Sequence, residues 1–314
     1  MIETSVYAPP RMVGGPEECY FYHTMALPGI GVVEGEWDLR DNVLAYLGNV
    51  DVRGKRVLEM GAASGFLTFT MERMGAEVVG YDLSDQQSWD VVPYAGQDIE
   101  GYLAARREHI RRLNNGWWLA HRLFESRARV VYGAAYEVPE AIGPVDVCTF
   151  GAILQHLRDP FLALQQALRL TRETVIITDP PPPGYFAGRR YTAWYHRLWR
   201  RLPWLQPRMS EWLRAESISF RPEPAVGEPK DTWWLLAPEA VMRMIGVLGF
   251  DTVSLTFHTQ KNRGRDILLY TVVGRRTRGA AIGDAVASRS VVAHPRDEDS
   301  RSFGRDVERR EREV

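Results

Sequence analysis

The stretch Arg56-Val57-Leu58-Glu59-Met60-Gly61-Ala62-Ala63-Ser64-Gly65, continued by Phe66 to Met74 and by Gly75-Ala76-Glu77-Val78-Val79-Gly80-Tyr81-Asp82, decides the fold. An apolar run ends in an acid and a glycine, and a second glycine stands at Gly65. Phe66 to Met74 reads as a helix closed by Gly75. A second apolar run then ends in Asp82. The order predicts strand, glycine turn, helix and strand, with an acid at the tip of the second strand. In an open α/β sheet those two positions flank the crevice where a nucleotide-like ligand lies.

The glycine spacing discriminates among such ligands. A dinucleotide fingerprint requires Gly-x-Gly-x-x-Gly. Counted from Gly61, the second and third places hold Ala63 and Phe66, so the fingerprint fails. Glu59-x-Gly61-x-x-x-Gly65, with Asp82 at the end of the next strand, resembles motif I of the class I S-adenosylmethionine (SAM) methyltransferases. Any βαβ unit with a glycine turn is the competing reading of this motif taken alone. The resemblance implies SAM as cofactor, with Glu59, Gly61, Ala62, Ser64 and Gly65 around its amino-acid end and Asp82 and Leu83 at its ribose. A carboxylate has two acceptor oxygens and a vicinal diol has two donors, so the pairing is chemically apt.

Beyond Asp82 the alternation continues. Residues 83–128 read as an insertion with a helix near 101–114, a break at Asn114-Asn115-Gly116 and a short helix from Trp117 to Phe124. Strands are expected at Arg129 to Tyr132, Val145 to Phe150 and Thr174 to Thr178, with a helix from Pro160 to Leu170. The fold expected is a Rossmann-like α/β sheet of about seven strands, mostly parallel, with an N-terminal cap and lid insertions. The divisions are a cap over 1–50, a methyltransferase domain over 51–274 with insertions 83–128 and 180–232, and a tail over 275–314. That tail has ten basic and eight acidic residues and few large apolar ones, which predicts disorder.

Asp146 to Pro160 is similar to motif IV of the same family, which implies that Phe150 and Gly151 face the methyl group. Gly133-Ala134-Ala135 stands where the family has Gly-Asp. The acid that holds the adenine amine is missing, so backbone groups or a residue of 83–128 must replace it. A narrower resemblance rests on Glu36-Trp37, Gly54-Lys55-Arg56, His156, Trp233-Trp234-Leu235-Leu236-Ala237-Pro238 and Leu248-Gly249-Phe250. These patches look like the tRNA wobble-uridine carboxymethyltransferase family and its uncharacterised relatives. The likeness implies a cofactor contact for Trp37. Gln155 replaces the tyrosine that recognises the extra carboxylate of carboxy-SAM, and His23 replaces a cofactor-contacting lysine. Both departures imply ordinary SAM and speak against wobble-uridine chemistry.

Composition sets the outer bounds. The chain has 314 residues, 45% hydrophobic, and a formal net charge of −1, so no global basic field favours nucleic acid. Cys19 and Cys148 lie far apart, which suits a reducing compartment. Glu3, Pro9, Pro10, Glu17 and Glu18 do not fit a signal peptide, and no apolar run is long enough to span a bilayer. A cytoplasmic protein is expected.

The substrate side is read from three segments outside the core motifs. Tyr20, Phe21, Tyr22, His23 and Trp37 form an aromatic strip suited to covering a sulfonium cation, or else to packing on the core. Residues 83–128 are the second segment. In the third, Tyr191, Trp194, Tyr195, Leu198, Trp199 and Leu202 fall on one helical face. Seven arginines stand between 185 and 214 against the single acid Glu211. Three readings stay open there: a lid helix with solvated arginines, a grip on an anionic acceptor such as a nucleotide sugar or phosphorylated glycan, or a membrane-surface helix over 189–204 reaching a lipid-linked substrate.

Methyl transfer needs alignment and exclusion of water, and a hydroxyl acceptor also needs a base. His156, His23 and Asp179 are the catalytic candidates. Against them stand a histidine bonded to backbone at a helix start, a packed histidine, and an acid capping the Pro180 turn. A histidine at its ordinary pKa of about 6.5 predicts activity rising through neutral pH. No Cys/His cluster has metal-ligand spacing. The function expected is SAM-dependent O-methylation of a small-molecule or glycan-like acceptor. A tRNA-modifying methyltransferase and a non-catalytic SAM-binding protein are the alternatives.

Overall fold

The computed structural model describes residues 5–186 and 217–279. The cap supplies a hairpin, β1 (Met25–Leu27) and β2 (Gly31–Val33), a short strand β3 (Trp37–Asp38) and one turn of helix, α1 (Val43–Tyr46). The core runs β4 (Arg56–Met60), α2 (Phe66–Arg73), β5 (Glu77–Asp82), α3 (Ile99–Leu123), β6 (Arg129–Tyr132), β7 (Val145–Gly151), α4 (Pro160–Leu168) and β8 (Thr171–Asp179). After the undescribed stretch come a hairpin, β9 (Ile218–Phe220) and β10 (Trp234–Leu236), then α5 (Pro238–Val247), β11 (Thr252–Asn262) and β12 (Arg265–Arg275).

The main sheet has eight strands in the order β3-β11-β12-β8-β7-β4-β5-β6. Strands β8, β7, β4, β5 and β6 pair in parallel. β12 runs antiparallel to both β8 and β11, so β11 points with the parallel set, and β3 runs against β11. The strand beyond the expected seven is β3, which the cap adds at the edge. Successive residues alternate between two cores. Val57, Val78 and Ile176 join α2 and α3 on one face, whereas Leu58, Val79 and Ile177 join α4 and α5 on the other. Helices on both faces are what near-continuous apolar strands require, because neither side of such a strand can face water.

Two features depart from the sequence reading. The helix α3 runs unbroken through Asn114-Asn115-Gly116. Its apolar residues Ile110, Leu113, Trp117 and Ala120 keep helical spacing across those three, and all four are buried. The polar residues point into contacts: the Asn114 amide donates to the Leu83 carbonyl (3.1 Å) and the Asn115 amide to the Glu18 carbonyl (3.1 Å). Tertiary partners thus satisfy groups that would otherwise compete with the helix. The C-terminal half of α3 is the crossover from β5 to β6; its N-terminal half, capped by Asp98, is the additional part.

The second departure is at the C-terminal end. β12 extends to Arg275, and the Arg276 guanidinium donates to the Leu168 and Thr171 carbonyls (2.6 and 2.9 Å), so the folded unit continues past 275. The rest of the expected tail, from 280 on, lies outside the described residues. So does the Arg/Trp stretch 187–216, including the membrane reading over 189–204. No described helix is long and apolar enough to cross a membrane.

Candidate functional site

Chain order places the site. From β4 the chain moves to β5 and β6 on one side, then returns to β7 and β8 on the other. The connections leaving β4 and β7 therefore diverge at their carboxyl ends and open a crevice there. The turn Gly61 to Gly65 leaves β4 at that point. It needs left-handed backbone at Gly61 (φ 83°), Ala63 (49°) and Gly65 (90°). A Cβ on Gly61 would stand 2.5 Å from Ile153 Cγ2, and one on Gly65 would stand 2.3 Å from the Phe69 ring. Both glycines are thus required by conformation and by close packing.

Asp82 closes the turn from the next strand. One of its oxygens accepts from the Ala63 N–H and the other from the Leu83 N–H, each at 2.7 Å. Burial pushes its carboxyl up, and those two bonds oppose the shift. Each oxygen retains a second acceptor position. Ala62 is buried, and its N–H and that of Gly61 reach the Tyr81 carbonyl. Ser64 is fully buried, and its hydroxyl accepts from the Tyr22 N–H (3.1 Å). Glu59 lies beneath the turn with its carboxyl on the Thr68 hydroxyl. Burial pushes its pKa up to about 8, against that hydrogen bond and with a smaller push from Asp82.

Gly133 follows β6, where its N–H donates to the Asp82 carbonyl (2.8 Å). A side chain there would meet the Tyr81 hydroxyl at 2.2 Å. That hydroxyl donates to the Ala134 carbonyl (2.9 Å), and Ala135 packs on the α4/α5 core. Asp90, from the segment before α3, meets this turn: its carboxylate takes the Tyr136 hydroxyl and the Arg158 N–H. Phe150 is buried in the α4/α5 core. Gly151 leaves room for Tyr46, whose hydroxyl would stand 2.8 Å from a Cβ at that position.

The cap crosses above these strand ends. Trp37 sits at the far edge of the sheet beside β11, yet its N–H donates to the Tyr22 carbonyl (3.0 Å) and its carbonyl accepts from Thr24 (2.7 Å). His23, between those two, lies 5.7 Å from the Phe66 ring at the start of α2. It is 7% exposed and its Nδ1 has no hydrogen-bond partner. Burial pushes its pKa down to about 4. Trp37, His23, Ser64 and the glycine turn are therefore gathered at one place.

His156 stands in a short turn that begins against Gly61 through Ile153. Its Nδ1 meets the Asp231 carbonyl, and the Thr232 hydroxyl lies 3.4 Å away. A carbonyl accepts only, so Nδ1 carries the proton and Nε2 is the basic nitrogen. Burial lowers its pKa, and the Asp231 contact partly offsets that. Asp231 in turn takes the Tyr102 hydroxyl (3.3 Å) and pairs with Arg106 (3.6 Å) on α3. Asp179 ends β8, 1% exposed, with neither carboxyl oxygen hydrogen-bonded. It therefore caps no turn, and it is joined to no member of the glycine-turn group by a hydrogen bond.

The sequence pattern does not flag Tyr46, Asp90 or Asp231. Their contributions are a packing position, a long-range contact and a carbonyl, none of which leaves a local signature. Asn114 and Gly116 did carry one, in the apolar spacing that continues past them.

No protein-family model matches this sequence. Among solved structures, the chain is similar to a magnesium protoporphyrin IX methyltransferase from Synechocystis PCC 6803 with bound S-adenosylhomocysteine (SAH). The identity is 12%, over 76% of this chain and 81% of that one, with TM-score 0.44. It is also similar to a putative S-adenosylmethionine-dependent methyltransferase from Listeria monocytogenes (15%, 75% and 98%, TM-score 0.47). A third is a Burkholderia thailandensis 1,6-didemethyltoxoflavin-N1-methyltransferase with its substrate and SAH (14%, 75% and 75%, TM-score 0.41).

Proposed function

We propose that the chain is a SAM-dependent methyltransferase acting on a small-molecule hydroxyl. The observation that carries the reading is the pairing of the Gly61–Gly65 turn with Asp82 at the reversal of strand order. The described residues fit the cofactor. Asp82 has acceptor capacity left for two hydroxyls. The orphan Nδ1 of His23 stands beside the first residue of α2, where amide dipoles favour a carboxylate. Bound SAM supplies an electrophilic methyl group.

The remaining roles belong to the chain. Asp82 holds the ribose. His23, neutral because it is buried, donates to the amino-acid end instead of acting as a base. Asp90 and the backbone of Gly133 to Ala135 take the place of the missing adenine acid. Tyr22, Trp37 and Tyr46 exclude water from above. His156, with Nδ1 tied to Asp231, presents Nε2 as the base that takes the acceptor's proton. Asp179 orients the acceptor. Gln155 and His23, at the two places where the carboxymethyltransferases differ, favour ordinary SAM. The test is a substrate panel incubated with methyl-labelled SAM: transfer of label, with a mass gain of one methyl on the acceptor, is expected. SAM binding without transfer to any class of acceptor would favour a non-catalytic SAM-binding protein.

A further inference from the structure

The carboxyl end of β8 carries a second arrangement of side chains. Register aligns three residues across neighbouring strands: Phe257 of β11 faces Tyr270 of β12, and Tyr270 faces Asp179 of β8. Directly opposed residues project to the same face of a sheet, so the three form one row. Tyr185 and Phe186, just after β8, extend it, with their rings 5.8 and 5.0 Å from Phe257. Phe186 is 42% exposed, so the row begins at solvent and ends at the buried carboxyl.

Both oxygens of Asp179 lack a donor, although a buried carboxyl ordinarily takes one or more. The nearby hydroxyls are committed elsewhere. Tyr270 donates to the Leu236 carbonyl (3.1 Å), Thr178 to the Tyr46 carbonyl (2.8 Å), and Tyr185 to Glu239 (2.7 Å). Burial holds the carboxyl well above the usual range, and no basic side chain among the described residues offsets it. Aromatic faces attract cations, and a buried carboxyl without donors is stabilised by an N–H-rich cation more than by a lone hydroxyl.

We propose that the Asp179 carboxyl and the Phe257–Tyr270–Tyr185–Phe186 shelf form a subsite for a protonated amine on the methyl acceptor. The acceptor class is then an amine-bearing hydroxyl compound. This rests on the methyltransferase reading, but it reverses the anionic acceptor suggested by the arginines of 185–214. All seven of those arginines lie outside the described residues.

The test is calorimetric binding to the full chain of three probes of one size: tyramine (cation), 4-ethylphenol (neutral) and 4-hydroxyphenylacetate (anion), with and without SAH. Tyramine should bind at least about 10-fold more tightly than either analogue, a difference on the order of 1.4 kcal/mol. Asp179→Asn should abolish that preference while SAH affinity is kept. Equal or tighter binding of the neutral or anionic probe, no tyramine binding at millimolar concentration, or an unchanged preference in Asp179→Asn would overturn the proposal. If Asp179→Asn does not fold, the comparison of the three probes on the wild-type chain decides. SAH titrated alone reports on the methyltransferase reading separately.

Discussion

At the residue scale the site is built from ionisable groups moved by burial, and two of them make solution behaviour predictable. Glu59 has its carboxyl pushed up to about 8 from 4.5. A group with a raised folded pKa contributes stability that is complete below its unfolded pKa and is lost as pH rises through the folded one. Wild type should therefore lose stability between pH 5 and 8, and Glu59→Gln should lose distinctly less over that window. Urea melts at a series of pH values check this; parallel curves for the two proteins would show that Glu59 is ionised throughout. His156 moves the other way. Its lowered pKa corrects the expectation that activity rises through neutral pH. The neutral, basic form already dominates at pH 7, so turnover should be flat there and fall only as pH drops below the ordinary histidine value. His156→Asn should cut turnover by about 10²-fold and remove that acid limb, as measured by rate against pH.

At the element scale the decisive piece is α3. Its Gly116 faces the Tyr20 carbonyl, which a Cβ would approach to 2.8 Å, and the Ser64 Cβ at 3.3 Å. Alanine is the better helix former by about 1 kcal/mol. The clash is with backbone that cannot swing aside, and overpacking of this kind costs about 1–3 kcal/mol. Gly116→Ala should lower Tm and weaken SAM binding together, because the strain reaches Ser64 and the turn. A raised Tm would mean that the cap is not seated on α3 as described.

The same helix shows where the sequence could be read and where it could not. The unit from Arg56 to Asp82 was legible because strand, turn and helix signals lie within one short stretch and agree. Asn114-Asn115-Gly116 misled because local propensity favours a break, while tertiary bonds to Leu83 and Glu18 keep the helix intact. Asp231 was illegible for a different reason: a backbone carbonyl serves His156, and any residue type supplies one.

At the scale of the whole molecule the strand order explains why these parts meet. The reversal at β4 opens the crevice, the cap crosses above it to β3 at the opposite edge, and α3 braces the cap from the side. The segment of residues 20–38 reaches from the glycine turn, where the Tyr22 N–H meets Ser64, to β11. Its ribbon geometry depends on a close approach at Gly35, where a Cβ would overlap the His23 backbone at 2.4 Å. The aromatic strip was legible in the sequence with a covering and a core-packing reading both open, and Phe21 packs in the core. Its span across the sheet was not legible, since that depends on pairing between residues far apart in the chain.

SAM binding in this crevice by way of Asp82 is open to direct measurement. Isothermal titration of SAM into wild type and into Asp82→Ala addresses it without knowledge of the acceptor, with NADH as the competing ligand. A hydrogen bond to a charged group contributes about 1.5–3 kcal/mol. Wild type should bind SAM at one site and should not bind NADH, and Asp82→Ala should bind SAM about 10- to 100-fold more weakly while remaining folded. Absence of SAM binding to wild type, or unchanged affinity in a folded Asp82→Ala protein, would contradict the account.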